Sequence, residues 1–138
     1  MKISVRLILI WLLVEAVSFS KILSQAQVRT WNVYEITLES SKLPSNPYTG
    51  LIVEGKPAFV NATFTGVAGE CTGKVYTVPG FWDGDRAWKL RFAPPYPGTW
   101  MYETSSADKK LNRKNGQLVV TRWSEEELRS NPARRGFI

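Results

Sequence analysis

Few side chains in this sequence can do covalent chemistry. Histidine is absent and Cys71 is the only cysteine. Composition therefore excludes Ser-His-Asp and Cys-His catalysis, a disulfide framework and any His- or Cys-rich metal site. Carboxylates are what remain for acid–base work, and the densest pair is Asp83 and Asp85 in Phe81-Trp82-Asp83-Gly84-Asp85. Glycoside hydrolysis needs two carboxyl groups roughly 5–9 Å apart, flanking the bond to be broken. Acids at i and i+2 of a tight turn cannot grip a sugar from two sides. A calcium ion wants six or more oxygens, more than this pair supplies. No catalytic residue, metal ligand or cofactor is expected.

The aromatic residues carry the other chemistry the composition allows. Six tryptophans, five tyrosines and six phenylalanines are present. Exposed rings stack on the apolar faces of sugars. Trp82, Tyr96 and Tyr48 sit in loops beside prolines or a turn and are the candidate carbohydrate contacts. Phe81, in the same loop as Trp82, is expected to fold inward. Cys71, in Gly69-Glu70-Cys71-Thr72-Gly73, is expected to be an unpaired thiol.

These residues must be positioned by strands. Val28 to Glu39 is rich in β-branched and aromatic residues, with Asn32, Tyr34, Ile36 and Leu38 on one face. Loop residues fill Ser40 to Gly50. Val60, Ala62 and Phe64 alternate with Asn61, Thr63 and Thr65, the pattern of a half-buried strand. A short strand, Lys74 to Val78, is closed by Pro79-Gly80, and Asp83-Gly84 signals a hairpin. Trp88, Leu90 and Phe92 then form one face of Arg86 to Ala93. After the Pro94-Pro95-Tyr96-Pro97-Gly98 turn, Trp100 and Tyr102 do the same for Thr99 to Thr104. Gln117 to Trp123 is the last strand, and Ser124-Glu125-Glu126-Glu127 is a capping box for one short helical turn ended by Asn131-Pro132. Short strands at near-regular spacing, without a long helical period, predict an all-β, antiparallel sandwich of immunoglobulin-like type. Its core is expected to hold Trp88, Trp100, Phe92 and Phe64.

Trp31, Glu35-Ile36-Thr37-Leu38, Asn46-Pro47-Tyr48, Ala62-Thr63-Phe64-Thr65-Gly66, Pro79-Gly80-Phe81-Trp82-Asp83-Gly84, Arg91-Phe92-Ala93-Pro94-Pro95 and Pro97-Gly98-Thr99-Trp100-Met101-Tyr102 follow one another in an order that resembles a known module. It is similar to the N-terminal immunoglobulin-like domain of unknown function that precedes the (β/α)8 barrel in apiosidase-like and related bacterial glycoside hydrolases. The resemblance spans about residues 28–138. It implies a noncatalytic accessory module of a secreted glycoside hydrolase, packing against the catalytic barrel and contacting polysaccharide. The sequence ends where that barrel would begin, so the partner barrel is expected in cis if the sequence is a fragment and in trans if it stands alone. A free-standing carbohydrate-binding or adhesive protein is the alternative, and a complete small hydrolase a more distant one.

Before this module, Lys2 and Arg6 precede the apolar run Leu7 to Val14, and Ser24-Gln25-Ala26 offers small residues for cleavage before Gln27. Residues 1–26 therefore read as a signal peptide, 27–123 as the sandwich, and 124–138 as a short helical turn and linker toward the barrel. Secretion or a periplasmic location follows, with an uncleaved membrane anchor as the minor alternative. The whole chain carries net charge +6. Removing residues 1–26 leaves a mild positive excess. Lys109, Lys110, Arg113 and Lys114 crowd one polar loop, which reads as a solvated turn. No nucleic-acid reading motif accompanies them, and no nucleic-acid partner is expected.

Overall fold

The computed structural model describes residues 25–44, 52–53, 56–57 and 59–136. The expected signal segment therefore lies, up to residue 24, outside the described residues, as do Tyr48, Phe137 and Ile138. No helix among the described residues is long and apolar enough to cross a membrane.

The strands are β1 (Ala26–Arg29), β2 (Tyr34–Glu39), the short pair β3 (Ile52–Val53) and β4 (Lys56–Pro57), β5 (Asn61–Ala68), β6 (Val75–Trp82), β7 (Ala87–Phe92), β8 (Gly98–Ser105) and β9 (Asn115–Thr121). Helix α1 (Glu125–Ser130) and a 3-10 turn (Pro132–Arg135) follow. The fold is all-β. Among the described residues, seven strands make one sheet in the order β1-β9-β8-β5-β6-β7-β2, and β3 and β4 form a second, two-stranded sheet. The sheet is mixed rather than purely antiparallel, because β1 runs parallel to β9. Parallel neighbours need a long connection, and here everything between the two strands serves as that connection.

The two outermost strands, β1 and β2, are joined by Thr30 to Val33 alone. From Arg29 to Tyr34 is five residue steps, at most about 18 Å, so the sheet curls to bring its two edges toward each other. The result is close to a barrel. What reads in sequence as one strand from Val28 to Glu39 breaks at this junction. Trp31 takes a left-handed φ of 65° there, and its N–H donates to the Pro94 carbonyl at 2.9 Å. A bulky residue in that conformation is strained and must be held by its surroundings.

Alternation puts one face of β2, β5, β7, β8 and β9 inside. Val60, Ala62, Phe64, Leu90, Trp100 and Leu118 are fully buried, and Trp88 and Phe92 are 2% and 4% exposed. Phe64 and Phe92 stack with centroids 4.1 Å apart although β6 separates their strands in the sheet. That contact crosses the interior and shows how far the sheet has folded on itself. Cys71 is also buried, its thiol 3.2 Å from both the Ala68 and Thr99 carbonyls. The basic loop after β8 has an acidic anchor. Asp108 is 1% exposed and accepts from the Ser41 N–H (2.8 Å), the Ser41 hydroxyl (2.7 Å) and the Lys110 N–H (2.8 Å). Lys109, Lys110, Arg113 and Lys114 stay exposed around it. Ser124 and Glu127 form the reciprocal capping box that starts α1.

Candidate functional site

Pro79-Gly80 is a corner rather than a strand end. β6 runs on through it, pairing with β5 up to Pro79 and with β7 from Gly80 to Trp82. Two local facts produce the change of partner. Continued one step, the β6–β7 register (Phe81 opposite Lys89, Gly80 opposite Leu90) would set Pro79 against Arg91. Proline has no N–H to extend the ladder. Gly80 meanwhile donates to the Val60 carbonyl at 2.7 Å, and a Cβ there would lie 2.5 Å from Val60 Cγ1, so the bend needs glycine.

Beyond the corner, β6 and β7 separate and leave a cleft of about 470 Å³. Tyr76, Thr77 and Val78 form one wall; Arg91, Phe92 and Ala93 form the other; Pro95, Tyr96 and Trp31 close the end. Tyr76 occupies an inward position of the alternation, opposite Phe64. Its ring lies 5.9 Å from Phe92 and 5.8 Å from Trp100. Because β7 has left, it is nevertheless 36% exposed. Tyr96 is 37% exposed, and its backbone is held by the Trp100 indole N–H, which donates to the Tyr96 carbonyl at 3.1 Å. Lys74 Nζ stands 5.3 Å from the Tyr96 ring centroid. Trp31 is 38% exposed and backs onto Gly136, whose α-carbon lies so close that a Cβ would meet the indole at 2.5 Å.

On the outer face of the same strands, charges alternate in sign. Lys89 Nζ is 2.9 Å from Asp83 and 3.2 Å from Glu35, and Arg91 Nε donates to Glu35 at 2.8 Å. The Arg91 and Lys89 hydrogen bonds hold the Glu35 carboxyl below its ordinary pKa, and the Asp83 and Glu35 bonds hold Lys89 above its own. Arg91 also lies 4.9 Å over the Phe81 ring.

The sequence candidates are thus separated. Tyr96 borders the cleft. Trp82 does not: it is half-buried at the other end of β6, packs against the core, and donates its indole N–H to the Asp85 carbonyl at 2.8 Å. Strand pairing with Trp88 continues β6 to Trp82, so this ring closes the hairpin instead of standing in a loop. Phe81, expected inside, faces out because alternation puts it opposite Trp82 in direction, and it is 36% exposed. Asp83 is committed to Lys89, and Asp85 sits in the hairpin turn at φ 43°. Three cleft residues, Trp31, Tyr76 and Arg91, were not among the sequence candidates. The available signal was Pro79, which tells that β6 cannot keep both neighbours.

The C-terminal segment packs beside Trp31. The Trp123 indole N–H donates to the Thr30 carbonyl at 2.9 Å, and the guanidinium groups of Arg29 and Arg134 lie over its ring, 5.3 and 4.4 Å from the centroid. Arg134 in turn donates to the Glu127 carbonyl at 3.0 Å.

Residues 27–107 match the family model described as Domain of unknown function (DUF5060). Among solved structures, the chain is similar to a candidate glycoside hydrolase from Bacteroides vulgatus ATCC 8482, at 28% sequence identity and a TM-score of 0.53. The similarity covers 74% of this chain and 17% of that protein, so the chain spans only a small part of the relative's length. No curated protein matches the chain. The family match covers more than half of the chain, which therefore belongs to the DUF5060 family of domains of unknown function.

Proposed function

We propose that this chain is a noncatalytic accessory module of an exported glycoside hydrolase, packing against the enzyme's catalytic (β/α)8 barrel, in cis or in trans, and contacting polysaccharide. The observation that carries the reading is the asymmetry of the structural match: most of this chain corresponds to a small fraction of a much longer candidate glycoside hydrolase. The carboxylates support the noncatalytic part. A general acid needs a raised pKa, whereas Glu35, Asp108 and Glu127 are all held low by hydrogen bonds, with burial opposing them at Asp108. Asp83, Glu39 and Glu70 are paired with Lys89, Arg86 and Arg122. The strand order suits the immunoglobulin-like reading, since β2 pairs with β7 on one half while β5, β8 and β9 pair on the other, as strands B, E, C, F and G do in that fold.

The test uses the purified full chain and a chimera in which it replaces the DUF5060 module of a larger glycoside hydrolase. The chain alone should hydrolyse no member of an aryl glycoside panel, and the chimera should keep the barrel's turnover and melting temperature above those of the barrel alone. Hydrolysis by the isolated chain that disappears in Asp83→Asn overturns the noncatalytic reading. A barrel indifferent to the module favours the free-standing carbohydrate binder, for which the aromatic cleft is the supporting feature.

A further inference from the structure

The cleft between β6 and β7 combines aromatic faces with cationic N–H donors that are not fully engaged. Trp31, Tyr76 and Tyr96 each expose a little over a third of their surface along it. Such rings offer an apolar face and a polar tip together. Arg91 engages Glu35 through Nε alone, so its remaining guanidinium N–H groups have no partner among the described residues. Lys74, above Tyr96, has no ion pair among the described residues. Among the described residues no carboxylate lines the cleft itself, and Glu35 reaches Arg91 from the outer face. The volume of about 470 Å³ is in the range of ligand clefts.

The geometry points to a binding site for an acidic oligosaccharide, with uronate rings laid against Tyr96 and Tyr76 and their carboxylates met by Lys74 and Arg91. The ring faces suit the C–H surface of a pyranose. Lys74, which has no ion pair among the described residues, and the Arg91 N–H groups that Glu35 leaves free complement a carboxylate on the ligand. A peptide strand added to the open edge fits less well, since Pro79 interrupts the donors of the β6 edge and strand addition draws its affinity from main-chain hydrogen bonds. The choice of a sugar rests on the glycoside hydrolase reading.

Isothermal titration of the full chain with trigalacturonate and trimannuronate, with cellotriose as the neutral counterpart and triglutamate as the acidic peptide, tests the site. At least one uronate trimer should bind roughly tenfold more tightly than cellotriose or triglutamate, and the affinity should fall at about 1 M salt, where the Debye length is only ~3 Å. Tyr96→Ala should weaken binding roughly tenfold and Lys74→Ala about fivefold. Met101→Ala, on an exposed part of β8 outside the cleft, should change nothing. No binding of either uronate trimer overturns the site. Equal binding of triglutamate or of cellotriose overturns its selectivity, and an equal loss in Met101→Ala overturns its location. A chain that binds no uronate yet stabilises the barrel in the chimera refutes this inference and leaves the accessory reading intact; a chain that binds uronate and ignores the barrel does the reverse.

Discussion

Replacing Trp100 by alanine should bring the domain close to unfolding. Trp100 is fully buried on β8, with its ring edge-on to Phe92 at 5.3 Å and tilted against Tyr76 at 5.8 Å. A buried tryptophan removes 150–250 Å² from water, which at ~25 cal/mol per Å² corresponds to about 4–6 kcal/mol. Measured losses for truncating large aromatic residues run at about 3–5 kcal/mol, because the site partly collapses. Losing the indole N–H bond to the Tyr96 carbonyl adds about 1 kcal/mol. The expected total is thus about 4–6 kcal/mol against a domain stability of ~5–15 kcal/mol. Trp100→Phe keeps the contact with Phe92 but not the hydrogen bond, and should cost about half as much. Equilibrium urea unfolding of the three proteins, followed by tryptophan fluorescence and by circular dichroism, gives both differences. A loss below about 2 kcal/mol for Trp100→Ala, or equal losses for the two variants, would refute the reasoning that burial plus one hydrogen bond sets the value.

Three further outcomes are expected. Asp108 has a folded-state pKa below its ordinary value, held there by the Ser41 and Lys110 donors against the opposing effect of burial. Its contribution is therefore present above the unfolded value of ~3.9 and lost as pH falls through the lower folded value. Asp108→Asn should cost about 1–3 kcal/mol at neutral pH and flatten the acid limb of a melting-temperature profile below about pH 4; an unchanged limb would contradict it. The Cys71 thiol should resist a disulfide reagent in the native protein and react at once in urea, since it is fully buried; fast native labelling would show that the loop at Gly69–Gly73 opens. Gly136→Ala meets both a φ of 86° and the Trp31 indole, so it should loosen the C-terminal turn and speed trypsin cleavage after Arg134 and Arg135; an unchanged cleavage rate would place that turn's stability elsewhere.

Period-two alternation is a local property, and so the inward faces of β5, β7 and β8 were legible without a structure: Ala62 and Phe64, Trp88, Leu90 and Phe92, and Trp100. Turn chemistry was equally local, and Asp83-Gly84 and the Ser124 to Glu127 box do what their side chains dictate. The cleft was not legible, because it depends on which strands become neighbours. Pro79 announces that a hydrogen-bonded ladder must stop. Only the tertiary structure decides that the ladder lost is the one to β7, that Tyr76 is thereby left facing an opening, and that Trp31, 45 residues earlier in the chain, closes its end. Trp82 shows the same limit from the other side: beside a turn it reads as exposed, yet pairing with Trp88 draws it into the edge of the core. Residue types alone gave the inward faces of β5, β7 and β8 and excluded histidine and disulfide chemistry, whereas the break at Trp31 and the run of β6 past Pro79 came from tertiary pairing. The curl of the mixed sheet, set by a four-residue link between its two edges, decided where the aromatic residues meet.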